Sequence, residues 1–588
     1  MGSPLVRAAF ALIVGATVAA FFVTQRLKEE FPLVLRFAAS PKAISPNGDG
    51  VRDGTVIGFD LSEPAEVSFS VVDSEGSEVR RLVDDRRLAG DVKHRFFWNG
   101  RDGDGRRVPD GTYRLRVVRR DEGRVINSIK KIRVDTQRPK VVLVSARPGV
   151  IAPGDPGEHP RVRISYRGPR NEAPEYRIFR TDEGPPRVVA RFRGDDDRRA
   201  VWRGSLRGHW ARDGDYAFTV TVRDKAGNRS VAPTDIPTAR LARAGTGVAV
   251  RHLTLRGPLG VVRAGSLARL EVGPYRRAFR FALSRLGSRR VVKRGARTGG
   301  RFRVRVPPRS RTGVYLVRVR AGGRRAVWPL AVASRPRGRR RPLVVLPAIT
   351  WEGLNRHDDD LDGFADTLDN SRTVGLDRPF ARGGTPPRFA SQAAPLLRFL
   401  DRERLPYDLT TDVARARGEG PSLPRAGGVV LAGSARWLTP ALLRRLRRYV
   451  EAGGRIASFG ADALRRSVRL TDGRLRGPTA ARRENALGER TVLLREAPVP
   501  LSVEEDRLDL FDTRFVGEFS VFERSTGLSS RARRLVSAGR DPGQPAFVAY
   551  RLGRGLVLRV GTPEWAAKLS DRRVAAVTKR IWSLLRRR

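Results

Sequence analysis

A short strand motif recurs three times in the first half of the chain. Each copy places a glycine two positions before a tyrosine, and the tyrosine opens an alternating apolar and polar run typical of a half-buried strand. The copies are Asp110-Gly-Thr-Tyr113, Asp213-Gly-Asp-Tyr216 and Thr312-Gly-Val-Tyr315. Their spacing of about 100 residues is the length of one two-sheet β-sandwich. The pattern therefore predicts three tandem sandwiches between about residue 36 and residue 334.

The tyrosine of each motif has an expected role in its sandwich. We predict that the ring packs in the core and that the hydroxyl bonds to a backbone group, as in immunoglobulin-like sandwiches. This role maintains the fold, so none of the three strands indicates a catalytic site.

The periodicity changes after the Pro- and Arg-rich segment 335–342, which indicates a linker. Buried strands then alternate with helices, as in an α/β domain. The predicted strands are 343–346, 428–431, 455–459 and 555–560. A helix is expected from Thr439, as N-cap, through Glu451, with Pro440 at its first position. A helix from 392 to 403 and a last one from about 570 to 587 complete the alternation.

The N-terminus carries an uninterrupted apolar run from Ala8 to Thr24, with Arg7 before it and basic residues after it. About 17 residues rise roughly 25 Å as a helix, so the run predicts an uncleaved transmembrane anchor. A cleaved signal peptide is the alternative. The expected location is the cell membrane, with a single pass and the bulk of the chain extracytoplasmic.

An acidic segment from residue 358 to residue 369 has the spacing of a calcium loop. Oxygen ligands fall at positions 1, 3, 5, 7, 9 and 12, and glycine stands at position 6. The predicted ligands are Asp358, Asp360, Asp362, the carbonyl of Phe364, Asp366 and Asp369. Flanking Pro and Gly residues leave little room for paired helices, so a structural Ca²⁺ site resembling those of thrombospondin type 3 repeats and dockerins is expected. The alternative is a solvated acidic turn.

Composition limits the possible partners. The formal net charge is +54, but arginine supplies nearly all of the 116 basic residues and is scattered through every module. Because no basic recognition helix or aromatic platform occurs, specific nucleic-acid binding is not expected. Such a surface would attract anionic cell-wall polymers or lipid head groups. The absence of cysteine excludes disulfides, thiolate zinc sites and cysteine nucleophiles. The sequence does not indicate an oligomeric state.

The first sandwich contains three Asx-Gly motifs. They begin at Ser45-Pro-Asn-Gly-Asp-Gly, Trp98-Asn-Gly-Arg-Asp-Gly and Val108-Pro-Asp-Gly. Over about 100 residues, this module resembles the immunoglobulin-like domain of flagellar hook-capping proteins, and the resemblance implies a spacer or assembly module. Asn47, Asp49 and Asp53 either bind a second cation or form ordinary turns.

A second series of motifs lies in the α/β region. The motifs are Leu405-Pro-Tyr-Asp-Leu-Thr-Thr-Asp412, Gly427-Gly-Val-Val-Leu-Ala-Gly-Ser434 and Tyr449-Val-Glu-Ala-Gly-Gly-Arg455. Over most of residues 343–588 the chain resembles the C-terminal domain of the N,N-dimethylformamidase large (beta) subunit, which implies a glutamine-amidotransferase-like fold. The characterised amidase of that family holds iron with two tyrosines and a glutamate. Tyr407 matches the first tyrosine, but Trp437 stands where the second is expected, and an indole cannot replace a phenolate ligand.

A conventional hydrolytic triad is not indicated. The turn after the strand at 455–459 contains Asp462 with neither Cys nor Ser. Asp408, Asp412, Asp462 and Glu564 either line the edge of the sheet or cap helices.

Together these patterns predict a multidomain β plus α/β protein with a transmembrane helix, three immunoglobulin-like β-sandwiches and an amidotransferase-like α/β domain. The predicted segments are anchor 1–30, sandwiches 31–135, 136–240 and 241–334, linker 335–342 and α/β domain 343–588. We expect binding or scaffolding with structural calcium. The alternatives are an exported metal-dependent amidase acting on C–N bonds, with Tyr407 as candidate catalytic residue, and arginine-mediated attachment to anionic cell-wall polymer.

Overall fold

The computed structural model is mostly β, with 46% strand and 14% helix. The described residues are 4–27, 33–120, 123–155, 158, 160–169, 174–195, 197–334 and 340–587. The predicted linker 335–342 therefore lies largely outside the described residues.

The first sandwich consists of a three-stranded and a five-stranded sheet. Its strands are β1 Val34–Ser40, β2 Ala43–Ile44, β3 Thr55–Leu61, β4 Ala65–Val72, β5 Glu78–Leu88, β6 Lys93–Trp98, β7 Gly111–Arg119 and β8 Arg124–Val134. One sheet has the order β1-β3-β6 and the other β2-β8-β7-β4-β5. Buried aromatic side chains fill the space between them, and Trp98 contacts Tyr113 edge to face with ring centroids 5.3 Å apart.

The second sandwich has the same two-sheet plan. Its strands are β9 Val142–Arg147, β10 Val150–Ile151, β11 Val162–Arg167, β12 Glu175–Arg180, β13 Arg187–Arg193, β14 Arg199–Trp202, β15 Ser205–Leu206, β16 His209–Trp210, β17 Gly214–Arg223, β18 Arg229–Ala232 and β19 Val248–Val250. The sheets have the orders β14-β11-β9 and β10-β19-β17-β12-β13; β18 also pairs with β17, and β15 and β16 form a separate hairpin.

The third sandwich is shorter and leads directly into the C-terminal region. Its strands are β20 Thr254–Arg256, β21 Val261–Arg263, β22 Leu267–Gly273, β23 Arg277–Arg285, β24 Val291–Gly299, β25 Arg301–Arg305, β26 Gly313–Ala321 and β27 Arg324–Ala333. They form sheets of order β20-β22-β25 and β21-β27-β26-β23-β24.

The three motif tyrosines occupy equivalent positions in their sandwiches. Tyr113, Tyr216 and Tyr315 are all buried. Each hydroxyl donates to the carbonyl oxygen four residues upstream, at distances of 2.8, 2.9 and 3.2 Å respectively. Each strand is thereby tied to the turn that precedes it, which confirms the predicted role of the repeated tyrosine.

The C-terminal region contains one large sheet with helices around its first half. Its strands are β28 Pro342–Leu346, β29 Thr373–Gly375, β30 Asp408–Thr411, β31 Gly428–Ala432, β32 Trp437–Leu438, β33 Arg455–Phe459, β34 Arg466–Ser467, β35 Arg469–Thr471, β36 Arg474–Arg476, β37 Glu489–Asp506, β38 Phe515–Leu528, β39 Ala532–Gly539, β40 Phe547–Leu552 and β41 Gly555–Val560. Its helices are α2 Ala348–Gly353, α3 Ala381–Gly384, α4 Ala394–Arg402, α5 Asp412–Ala416, α6 Pro440–Glu451 and α7 Arg572–Arg586. A π-helical turn, Phe389–Ala393, precedes α4. Helix α1, Pro4–Leu27, lies at the N-terminus.

The nine-stranded sheet is mixed. Its order is β30-β28-β31-β33-β41-β40-β39-β37-β38. The first five strands are parallel. The remaining four pair antiparallel, since they are joined by hairpins rather than by helical crossovers.

The predicted fold class is therefore wrong in two respects. The chain is mostly β, whereas an α/β domain is predicted over residues 343–588, because hairpin strands replace crossover helices after β36. The second error concerns α1. About 17 apolar residues, Ala8 to Thr24, rise roughly 25 Å, whereas the hydrocarbon core of a bilayer is about 30 Å thick.

Within the described part of the chain, no helix combines the length and the apolar character that crossing a membrane requires. The predicted transmembrane anchor at 1–30 is contradicted by this finding. The predicted single-pass membrane location depended on that anchor, and it is corrected with it.

The third sandwich and the C-terminal region share one hydrophobic core. A single cluster of buried side chains includes residues between 253 and 332 and residues between 344 and 585. At the contact, the rings of Trp328 and Phe380 stack with centroids 4.8 Å apart. A Cβ atom at Gly384 would lie 2.1 Å from the carbonyl oxygen of Val327, so the two backbones approach more closely than any other residue would allow.

Candidate cation-binding loop

The acidic loop follows α2 and curls around its own carboxylates. Gly363, at position 6, has a φ of +91°, the left-handed conformation that favours glycine. Its N–H donates to Oδ2 of Asp358 at 2.8 Å, and the N–H of Phe364 donates to Oδ1 of Asp362 at 2.7 Å. The backbone thus turns as the sequence pattern predicts.

Three of the predicted ligands converge. Carboxylate oxygens of Asp358, Asp360 and Asp366 all lie within 4.8 Å of one another. Ca²⁺ binds oxygen at about 2.3–2.6 Å, so oxygens about 5 Å apart can contact the same ion. These three carboxylates therefore fit a shared cation.

Two of the predicted ligands, Asp362 and Asp369, lie outside this convergent set and have other partners. Asp362 lies in the loop, but its Oδ1 accepts the Phe364 N–H. Asp369, at position 12, is exposed and pairs instead with Arg436, with Nη1 and Oδ2 2.7 Å apart. The loop therefore supplies a smaller set of convergent side chains than its spacing predicts.

Without a bound cation, the carboxylates of this loop repel one another and are costly to bury. Burial, followed by the charges of Asp215 and Asp362, raises the pKa of Asp358 to about 8. Burial and the charge of Asp360 raise the pKa of Asp362 to about 7. A divalent cation would offset this repulsion and desolvation.

Asp359, which lies between the predicted ligands Asp358 and Asp360, has a structural role. The carboxylate of Asp359 accepts the N–H of Gly375 at 2.7 Å and pairs with Arg378 at 3.1 Å. Although burial opposes the effect, the hydrogen bond from His357 and the charge of Arg378 lower its pKa to about 2. Asp359 therefore anchors the loop to the C-terminal region.

The outer side of the loop docks on the second sandwich. The N–H of Gly245 donates to the carbonyl of Asp360 at 2.9 Å, and the N–H of Gly247 donates to the carbonyl of Leu361 at 2.7 Å. The hydroxyl of Thr181 donates to the carbonyl of Gly363. These backbone contacts make the loop an interface between the two modules.

Asp215, on β17 of the second sandwich, adds a carboxylate to this interface. Its side chain is 1% exposed, and Oδ1 pairs with Arg251. Oδ2 is buried and has no hydrogen-bond partner among the described residues. Sequence reasoning missed Asp215, although it is the only acid at its position in the three tyrosine motifs, where Thr112 and Val314 are the counterparts.

Tyr407 lies in a buried cluster rather than at an open site. Its hydroxyl donates to Oδ1 of Asp401 at 3.1 Å, and Arg285 of the third sandwich binds the same carboxylate. Burial and the charge of Asp401 raise the pKa of the Tyr407 phenol. Trp437 is also buried, with the guanidinium of Arg436 4.5 Å from its ring centroid. These surroundings do not suit Tyr407 to phenolate coordination of iron.

The four acids predicted at the sheet edge do not form one group. Asp412 is fully buried at the start of α5, where Oδ1 accepts the Ile349 N–H at 2.9 Å. Asp462 pairs with Arg436 at 2.9 Å. Glu564 accepts hydrogen bonds from Ser520, and burial raises the pKa of the half-buried Asp408.

The second possible cation loop uses its oxygens locally. Both carboxylate oxygens of Asp53 accept backbone N–H groups, from Gly48 and Gly50, at 2.8 Å. Asn47 and Asp49 accept N–H groups two residues ahead, as in ordinary Asx turns. The geometry favours the turn alternative.

Comparisons with known proteins identify two regions. Residues 299–491 match the family described as N,N-dimethylformamidase beta subunit-like, C-terminal, and residues 45–123 match the FlgD Ig-like domain. Both predicted resemblances are confirmed. The first match begins inside the third sandwich rather than at residue 343, and it ends at residue 491.

Curated relatives match a short part of the chain. The basal-body rod modification protein FlgD of Salmonella typhimurium is 33% identical over 82 residues, which are 13% of this chain and 34% of that protein. FlgD of Salmonella typhi matches to the same extent. The chain spans about a third of the length of these relatives.

Solved structures resemble parts of this chain at low sequence identity and low TM-score. A tetra-tandem repeat from the extending region of a large adhesion protein has a TM-score of 0.18 and 13% identity, covering 50% of this chain and 73% of that one. The β-galactosidase from Bacillus circulans sp. alkalophilus has a TM-score of 0.23 and 15% identity, covering 32% and 26%. By the two family matches, the chain contains a region similar to the FlgD Ig-like domain, residues 45–123, followed by a region similar to the N,N-dimethylformamidase beta subunit-like C-terminal family, residues 299–491.

Proposed function

We propose that this chain is a binding or scaffolding protein in which β-sandwiches present the dimethylformamidase-like region. A structural Ca²⁺ bound by loop 358–366 fixes that region to the second sandwich. The observation that carries the proposal is the convergence of Asp358, Asp360 and Asp366 within 4.8 Å in a loop that also contacts Gly245 and Gly247.

The donor set fits calcium. Carboxylate and carbonyl oxygens are the ligands that Ca²⁺ prefers, and the loop spacing is that of known calcium loops. Asp358, Asp360 and Asp366 would hold the ion, which would neutralise carboxylates that otherwise repel one another. Since the backbone carbonyls of Asp360 and Leu361 accept N–H groups of the second sandwich, ordering the loop also orders the interface.

The surroundings of Tyr407 support binding over catalysis. A phenol that donates to Asp401, beside the guanidinium of Arg285, is committed to a structural contact between modules. The turn at Asp462 likewise places its carboxylate in ion pairs with Arg436 and Arg466. These groups hold the fold together and offer no activated nucleophile.

A melting experiment on the full chain tests the calcium site. With a Kd of about 0.1–1 mM, 10 mM Ca²⁺ would stabilise the folded state by about 1.5–2.5 kcal/mol. The melting temperature should therefore rise by a few degrees relative to chelator, and the Asp360→Asn, Asp366→Asn double variant should lose this response. Asp104→Asn, in an exposed turn of the first sandwich, should keep it.

Two results would overturn the proposal. Equal melting temperatures in calcium and chelator would reject the cation site. Tightly bound iron in the purified chain, together with hydrolysis of a small formamide, would reject the non-catalytic function and favour the amidase alternative.

A further inference from the structure

A cavity of about 590 Å³ opens at the amino ends of the parallel strands β28, β31 and β33. Six of its lining residues are arginines, and no Asp or Glu belongs to the described lining. The arginines are Arg340, Arg415, Arg445, Arg448, Arg455 and Arg587. Cations gathered without carboxylates repel one another, so this arrangement favours an anionic occupant.

Arg415 is the most constrained of these arginines. It lies on α5, is 7% exposed, and donates from Nη1 to the carbonyls of Glu419 and Gly420 at 2.6 and 3.3 Å. Its Nε is buried and has no hydrogen-bond partner in the described part of the chain. Burial, followed by the charge of Arg445, lowers its pKa. Burying a charged guanidinium costs desolvation free energy, which an anion bound beside it would offset.

The opposite wall of the cavity is also held in place. Arg455 donates from Nη1 to the carbonyl oxygens of Leu584 and Arg587, at 2.5 and 2.7 Å. The half-buried ring of Tyr449 and the side chain of Leu423 provide apolar surface beside the arginines. The cavity thus combines cationic donors with a small apolar wall.

Another arginine-lined cavity of the same chain differs in charge balance. Between the third sandwich and the C-terminal region, a cavity of about 890 Å³ contains Arg256 and Arg301, but both pair with Glu271, at 2.7 and 3.3 Å. Among the described residues, no carboxylate lies within ion-pair distance of Arg415, Arg445 or Arg448. The two cavities therefore differ in whether the arginines named here are paired with a carboxylate.

We infer that the cavity lined by Arg415, Arg445 and Arg448 binds a small molecule that carries phosphate groups. Arginine forks match the geometry of phosphate oxygens, and the volume lies in the range of small-ligand sites. Arg415 would supply a buried, oriented donor, and the exposed Arg445 and Arg448 would close around the anion. This site is independent of the calcium loop and of the proposed scaffolding function.

Calorimetric titration of the full chain with inorganic pyrophosphate tests the inference. We expect saturable binding that weakens between 50 and 200 mM NaCl, because phosphate contacts are screened by salt. Loss of one charged contact should weaken binding about tenfold or more in Arg415→Gln and in Arg445→Gln. Arg445 is exposed, so its variant should fold even if the Arg415 variant does not.

Arg301→Gln is the matched control, because it removes an arginine that pairs with Glu271 in the other cavity. It should bind pyrophosphate as the wild type does. The inference is rejected if the wild type shows no saturable binding. It is also rejected if Arg301→Gln and Arg445→Gln weaken binding equally, since binding would then reflect net charge alone.

Discussion

Removing the Arg285 side chain should destabilise the third sandwich and the C-terminal region together. Arg285, on β23, donates from Nε and Nη2 to the two carboxylate oxygens of Asp401 on α4, at 2.9 and 2.6 Å. Nη2 also donates to the carbonyl of Thr312 at 2.7 Å. In Arg285→Met, the carboxylate would keep Tyr407 as its side-chain donor and would lose its compensating charge.

The magnitude follows from burial. Breaking a fully buried ion pair costs about 3–5 kcal/mol, whereas exposed pairs contribute about 0–1 kcal/mol. The side chains of Arg285 and Asp401 are 20% and 26% exposed. We therefore expect Arg285→Met to lower the free energy of unfolding by about 2–3 kcal/mol.

Urea denaturation followed by tryptophan fluorescence measures this effect, since Trp328 and Trp565 belong to the shared core. In the double variant Arg285→Met, Asp401→Asn, the loss should be smaller than the sum of the two single losses, because no unpaired charge remains. Arg187→Met, from an exposed pair with Glu183, is the control. Additive single losses, or a loss in Arg285→Met no larger than in the control, would refute the reasoning.

Two further predictions concern Asp412 and the loop interface. Burial raises the pKa of Asp412 to about 8. Between about pH 4 and pH 8, the folded state therefore keeps a proton on Asp412 that the unfolded state releases. The free energy of unfolding consequently falls as the pH rises through this range. Asp412→Asn should remove this pH dependence. From pH 5 to pH 8, the midpoint of urea denaturation should therefore fall more in the wild type than in the variant, and an equal fall in both would contradict the prediction. At Gly247, a Cβ atom would lie 2.0 Å from the backbone nitrogen of Gly363. Gly247→Ala should therefore lower the melting temperature and reduce its increase in calcium. Gly103→Ala is the control and should change neither, because a Cβ atom at Gly103 would contact nothing within 4 Å. Equal melting temperatures for the two variants would contradict the docking of the loop on the second sandwich.

Local sequence signals predicted much of the C-terminal secondary structure. The Thr439 side chain accepts the Leu442 N–H at 3.3 Å and Pro440 begins α6, as the capping pattern indicates. Helix α7 buries Val574, Val577 and Ile581 as its period predicts. These features depend on neighbours a few residues apart, and such neighbours are visible in the sequence.

Contacts between distant segments could not be predicted in this way. The twelve-residue spacing located the acidic loop, but Asp369 pairs with Arg436, and Asp215 approaches from another module. The residue pattern between 489 and 552 is consistent with strands. It does not show that these strands pair antiparallel and continue the sheet that begins with the parallel strands. The apolar run at the N-terminus predicts a membrane span because its length is close to the requirement, and length alone does not establish one.

The core shared by the third sandwich and the C-terminal region limits which segments of this chain could be transferred to another protein. Since Trp328 stacks on Phe380 across the predicted linker, a recombination event that separated them would leave both halves with bare apolar faces. The family match that runs from residue 299 to residue 491 crosses the same point. Exchange of the third sandwich without the sheet, or of the sheet without the sandwich, would therefore uncover this shared core.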